Sequence, residues 1–202
     1  MKKFIAILLA LTLVFALASC KKDNAPAAVD VESYKTAVAN TSLRTAKLVV
    51  TQTNDLFPND PLVAEYEISF NDDGSAVVDF TYMLYQTITP GGDGVITEQH
   101  TGHANIAADG TVTGDRVSDT VTAAASVSFN LDATKMTVSE DHGILRANIP
   151  AANTAAVLGG AISADVVLTL STANGVVTGA TINYTTANAS YEIVCTYNVP
   201  LN

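Results

Sequence analysis

From Leu43 onward the apolar residues recur at every second position, in runs broken by Asp-Gly or Asn-Gly turns. A period of two places alternate side chains on opposite faces of a strand, so a chain patterned this way builds mainly sheet. Leu62, Ala64, Tyr66, Ile68 and Phe70 make one apolar face whose reverse carries Glu65, Glu67 and Ser69, the pattern of a sheet wet on one side. Asn71-Asp72-Asp73-Gly74 then turns the chain, and Ala76, Val78, Phe80, Tyr82, Leu84 and Ile88 continue the apolar face opposite Asp79, Thr81 and Thr87. The two segments are expected to pair as a hairpin. Ala108-Asp109-Gly110 and Ala173-Asn174-Gly175 supply further turns with residues that tolerate positive φ. Strands are expected over 164–170, 176–184 and 190–197. Short helices are expected over 31–42, where Val31, Tyr34 and Val38 share a side, over 117–125, and over 150–158, where Pro150 suits a first turn and Gly159-Gly160 an end. Meander hairpins account for the recurring turns without a solenoid repeat.

The amino terminus has a different character. Lys2 and Lys3 precede an apolar run from Phe4 to Leu17 that is too short to span a bilayer comfortably, followed by the small residues Ala18 and Ser19 and by Cys20. Leu17-Ala18-Ser19-Cys20 resembles the lipobox of bacterial lipoproteins. That resemblance implies that residues 1–19 are a signal peptide and that Cys20 becomes the diacylglycerol-modified, acylated first residue. Residues 20–30 then read as lipidated cysteine and flexible tether, able to reach about 30 Å at roughly 3.3 Å per residue. Residues 31–202 are expected to form one β-rich domain; the 183 residues left after removing 19 from 202 are enough for a real core.

The net charge of −10 becomes −12 once Lys2 and Lys3 are lost with the signal. Nucleic acid is excluded as a partner on that ground, because phosphate binding draws on clustered Lys and Arg. The same sign disfavours lying flat on anionic headgroups, so membrane attachment is expected through the N-terminal acyl chains alone. With Cys20 acylated, Cys195 has no intramolecular partner, and no disulfide is expected. Alternation puts Cys195 on one face with Tyr191, Ile193 and Tyr197, where it reads as a buried small hydrophobe.

Taken in order, the acylated cysteine, tether, leading helix and long meander are followed by the Gly-Ile-Leu-Arg-Ala-Asn-Ile-Pro strand at 143–150, a short helix and three closing strands. This order resembles the lipoprotein-carrier superfamily of LolA, LppX and LprG-like proteins, loosely over residues 31–198 and most closely over 143–197. The resemblance implies a strongly curved antiparallel sheet, a half-barrel with a few short helices lidding a concave apolar face that holds acyl chains. Phe70, Phe80, Tyr82, Leu84, Leu168 and Ile182 are the candidate wall of such a cavity. The same residues would equally fill a closed core, because wall and core share one pattern. The abundance of Ala and Thr fits thin, tight layers as readily as a roomy cleft.

No motif for catalysis stands out. Glu98, His100 and His103 are zinc-compatible types, yet in a regular strand His103 points away from the other two unless a bulge forms at Gly102. Asp72-Asp73-Gly74 and Asp93-Gly94 lack the ligand series of a calcium loop and read as turns. Ser139-Glu140-Asp141-His142 sets triad residue types side by side, whereas a working triad converges from separate elements. Gly-x-Ser-x-Gly, Walker and dinucleotide patterns do not occur. The chain is therefore expected to be a non-catalytic envelope lipoprotein, without cofactor or metal, that binds a lipid or other hydrophobic small molecule. The competing expectation is a surface β-domain with a filled core that contacts protein or glycan.

Overall fold

The structure, a computed structural model, describes residues 29–86, 97–119, 123, 127 and 129–201. Cys20 with its lipobox, Ile88 and Asp93-Gly94 lie outside the described residues. The chain opens with α1 (Val31–Asn40), capped by Asp30, whose carboxylate accepts the Ser33 backbone N–H at 3.3 Å. Val31, Tyr34 and Ala37 form its buried side, and Val38 packs partly buried beside them.

Two antiparallel meanders follow. The first is β1 (Thr45–Asn54), β2 (Phe57–Phe70), β3 (Ala76–Tyr85), β4 (Thr97–Ile106) and β5 (Val112–Gly114); the second is β6 (Thr137–Asp141), β7 (Ile144–Ile149), β8 (Val166–Ala173), β9 (Val176–Thr185) and β10 (Ala189–Tyr197). Pairing of β1 with β10 joins them into one curved, unclosed sheet of order β5-β4-β3-β2-β1-β10-β9-β8-β7-β6. The fold class is thus mainly β with short helices, as the alternation implies. Residues 117–119 and 123 are helical, and Ala151–Asn153 forms a 3-10 turn leading into α2 (Thr154–Leu158), which ends at Gly159 with φ 72°.

Cross-strand register carries the concave face from strand to strand. One row runs Val78, Ile68, Ala46, Tyr197; the next runs Gly102, Phe80, Tyr66, Leu48, Cys195, Ala180, Leu170, Leu145. These rows, with Leu131, Val157 and Leu158, form the buried core. The convex face is charged, and there Lys47 bridges Glu65 at 3.0 Å and Glu67 at 3.6 Å.

Two glycines are set by close approach. A Cβ on Gly102 would lie 2.4 Å from the Phe80 ring, so the bare backbone of β4 is what lets that aromatic lie flat across it. Gly114 has φ +116°, and a Cβ there would meet the His103 carbonyl oxygen at 2.5 Å and the Ala104 Cα at 2.7 Å. The last residue of β5 can therefore only be glycine without displacing β4.

The observed β2 begins five residues before Leu62, running through Pro58 and Pro61. Proline cannot donate to a ladder, which hid this stretch from a pattern reading; here it extends the β1–β2 hairpin past a register shift between Gln52 and Asn54.

Candidate functional site

Above the two core rows lies a third, Tyr82, Ala64, Val50, Ile193, Ile182, Leu168, and beyond it the strand ends carry Leu84, Leu62, Gln52, Tyr191 and Tyr184. The β3-β2-β1-β10 part of this region opens as a cleft of about 250 Å³. Ala64 is the reason the cleft has depth: it stands between Tyr82 and Val50 in register, and its methyl leaves a trough between larger neighbours. Arg116, Asp119 and Ala123 border the opposite side.

Aromatic groups line the trough. Tyr184 and Tyr191 stack with centroids 4.6 Å apart and planes 9° from parallel. Tyr82 stacks on His100 at 5.3 Å on one side, and the Arg116 guanidinium carbon sits 4.3 Å above the Tyr82 ring. Arg116 also ion-pairs with Asp119, so the cation brought to the rim is compensated there. The result is an apolar floor of Val50, Leu62, Ala64 and Ile193 with a rim of phenols, one amide and one ion pair. A lining of this kind can shelter hydrocarbon and hydrogen-bond a polar end.

The candidate wall residues occupy different depths. Tyr82 and Leu84 border the cleft, Leu84 with 39% of its surface exposed. Phe80 is buried in the row beneath, against Tyr66 at 5.3 Å. Phe70 is partly buried at the far end of β2, opposite Ala76. Leu168 and Ile182 are fully buried at 0% exposure, within the packed β7–β9 half. Val50, Leu62, Ala64, Tyr184, Tyr191, Ile193 and Arg116 border the cleft without being among the candidate wall residues read from the sequence. Cross-strand register is the signal that groups them, and alternation within single strands does not contain it.

The histidines do not converge. β3 and β4 stay in register through Gly102, from Ala76 opposite Ile106 to Tyr85 opposite Thr97, so His103 faces the convex side while His100 faces the concave one. His103 Nδ1 lies 2.7 Å from the Asp79 carboxylate, and its backbone N–H donates to Asp115 at 3.0 Å. Among the described residues no cluster of three or more His, Cys, Asp or Glu could hold a metal ion. Asp73 closes its own turn, its carboxylate accepting the Ser75 N–H at 2.9 Å and hydroxyl at 2.6 Å, which holds its pKa below the ordinary carboxylate value. His142 sits in the β6–β7 turn with φ 51° beside Asp141. No described helix is long and apolar enough to cross a membrane.

Burial pushes the Cys195 thiol from 9.0 up to about 12. Burial, with Tyr191 alongside, pushes the Tyr184 hydroxyl from 10.0 to about 12. At alkaline pH the unfolded chain releases these protons before the native state does. Native values raised above unfolded ones give stability that is fully present below about pH 9 and lost as pH climbs towards 12. The urea midpoint is therefore expected to hold steady up to about pH 9 and to fall above it, with Cys195→Ala removing the earliest part of the decline. A midpoint unchanged at about pH 11 would contradict the burial of both groups.

Neither a protein-family profile nor a curated protein sequence matches the chain. Among solved structures, the crystal structure of LprF from Mycobacterium bovis is similar over 85% of this chain and 94% of that one, at 13% identity and a TM-score of 0.44.

Proposed function

We propose that this chain is an acyl-anchored envelope lipoprotein that binds an apolar or amphipathic small molecule in the concave cleft by reversible partition, with no covalent step. The observation that carries the reading is the cleft itself: a solid sheet-and-helix core needs no open trough of Val50, Leu62, Ala64 and Ile193 flanked by stacked tyrosines. Each square ångström of apolar ligand surface moved out of water there contributes about 25 cal/mol. The volume of about 250 Å³ sets the scale of the cargo. Drug-sized ligands take about 300–1,000 Å³, so the cleft suits a single short chain or one ring system, with a polar end towards Gln52 and Arg116.

Native mass spectrometry of the protein purified from its own host, together with titration of the fluorescent fatty acid cis-parinaric acid, tests this. Ala64→Phe places a ring in the trough and is expected to weaken probe binding by at least about tenfold, the equivalent of 1.4 kcal/mol, while leaving the urea midpoint nearly unchanged. Absence of both a co-purifying molecule and probe binding would sink the proposal. It would favour the second reading, a surface module contacting protein or glycan, which draws its support from the full burial of Leu168 and Ile182 and the near-complete burial of Phe80 in a packed interior.

A further inference from the structure

Among the described residues that line the cleft, Arg116 is the only cation and Asp119 the only anion. The backbone places both. Asp115 ties their segment to β4, its N–H donating to the His103 carbonyl at 2.9 Å and its carboxylate accepting the His103 N–H at 3.0 Å. Arg116 follows with φ 43°, a left-handed conformation that residues with a side chain seldom adopt, and the Asp119 N–H donates to the Arg116 carbonyl at 3.0 Å. This turn sets the guanidinium carbon 4.3 Å over the Tyr82 ring while Nε donates to the Asp119 carboxylate.

A carboxylate entering the cleft would meet a cation whose charge is already matched and would lie beside Asp119 as a second anion. Like charges repel, and more strongly over an apolar floor of Val50, Leu62, Ala64 and Ile193 than in open water. The surroundings add to that penalty. Glu98 stands in register with Leu84 at the cleft mouth, and the whole chain carries −10. Deeper in, burial pushes the Tyr66 hydroxyl above its ordinary value, Asp119 adds to the rise, and Arg116 works against it. An uncharged head meets no such penalty. A guanidinium has N–H donors beyond Nε and a carboxylate accepts at more than one lone pair, so the ion pair can serve one acceptor and one donor of a ligand together. The Gln52 amide offers both kinds again.

We infer that the cleft selects an uncharged single-chain amphiphile, an acyl ester of a small polyol whose carbonyl accepts from Arg116 and whose hydroxyl donates to Asp119, and that Asp119 is the residue that turns carboxylates away. This inference rests on the cleft being the binding site. It adds the charge and chemistry of the head group, and it makes Asp119 the specificity-determining residue.

The test titrates the mature protein in lipid nanodiscs, against empty nanodiscs, with cis-parinaric acid and with its glycerol monoester, which share one fluorescent chain. Low salt and about pH 8.5 keep the acid ionised. The monoester is expected to bind about fivefold more tightly than the acid, the factor set by one unit-charge contact at about 4 Å in water. Asp119→Asn is expected to move the probes in opposite directions: the acid tightens about fivefold as the repulsion goes, and the monoester weakens about two- to threefold as a charge-assisted hydrogen bond becomes a neutral one. Added salt is expected to narrow the gap in the wild type, because the Arg116 and Asp119 side chains are 38% and 35% exposed and so open to screening. That arm decides the matter if Asp119→Asn does not fold. Acid bound as tightly as monoester in the wild type overturns the inference and leaves the cleft reading standing, as does a shift of both probes in one direction on Asp119→Asn. Ala64→Phe is expected to weaken both probes, and binding that survives it overturns the inference by placing them outside the cleft. If neither probe binds beyond empty nanodiscs, the cleft reading falls and the head-group inference falls with it.

Discussion

Leu168→Ala is expected to destabilise the protein by about 2–5 kcal/mol, a fall of roughly 5–15 °C in Tm for a chain of this size. Leu168 is fully buried, in register between Ile182 on β9 and Ala147 on β7, and Val157, Leu158 and Leu131 belong to the same core. Removing its isobutyl group loses the transfer free energy of the deleted atoms and leaves a cavity that tightly paired strands cannot close. The comparison that gives the number meaning is Leu84→Ala. Leu84 lies two positions beyond Tyr82 on the same face of β3 and is 39% exposed at the cleft, so its truncation should cost less than about 1 kcal/mol while weakening ligand binding. Urea unfolding of both variants, with and without cis-parinaric acid, measures this. If Leu168→Ala were nearly neutral without ligand and harmful to probe binding, Leu168 would be cavity wall instead of core, and the cleft would extend across β8 and β9.

The other large effect concerns attachment. Cys20→Ser is expected to abolish incorporation of a palmitate analogue and to release the protein from the membrane fraction. Each buried methylene contributes about 0.8 kcal/mol, so two or three acyl chains hold a protein durably where one does not. Nothing in the charge of the chain replaces them, because −12 after loss of the signal is repelled by anionic headgroups. The thiol is the atom that lipidation requires, and a serine hydroxyl at the same place is a poor substitute nucleophile. Labelling of wild type and variant, followed by separation of membrane and soluble fractions, checks the outcome. Equal labelling, or equal retention in the membrane, would remove the anchor from the proposed function while leaving the cleft intact.

Much of the architecture was legible in one dimension. Alternation of Leu62 to Phe70 and of Ala76 to Leu84 around Asn71-Asp72-Asp73-Gly74 specifies a hairpin, because a period of two has no other use and the turn residues admit positive φ. The closing strands emerged within one to three residues of their observed limits for the same reason, and α1 declared itself through Val31 and Tyr34. β5 and the early part of β2 were hidden: one has three residues, too few to show a period, and the other contains two prolines.

The site was less legible, since alternation states which face a side chain takes and is silent about how deep it lies. Tyr82 and Leu168 stand in one cross-strand row, yet one borders an open cleft and the other is sealed. The sequence by itself determined the strands, their wet and dry faces, the acidic surface and the lipobox pattern at Cys20, because each follows from local spacing and residue chemistry. Only the tertiary structure decided that β1 pairs with β10 and that Ala64 leaves a trough between Tyr82 and Val50. The first depends on contacts between residues more than a hundred positions apart in the chain, such as Ala46 with Tyr197, and the second on the register of three neighbouring strands; neither is set by an adjacent residue in sequence.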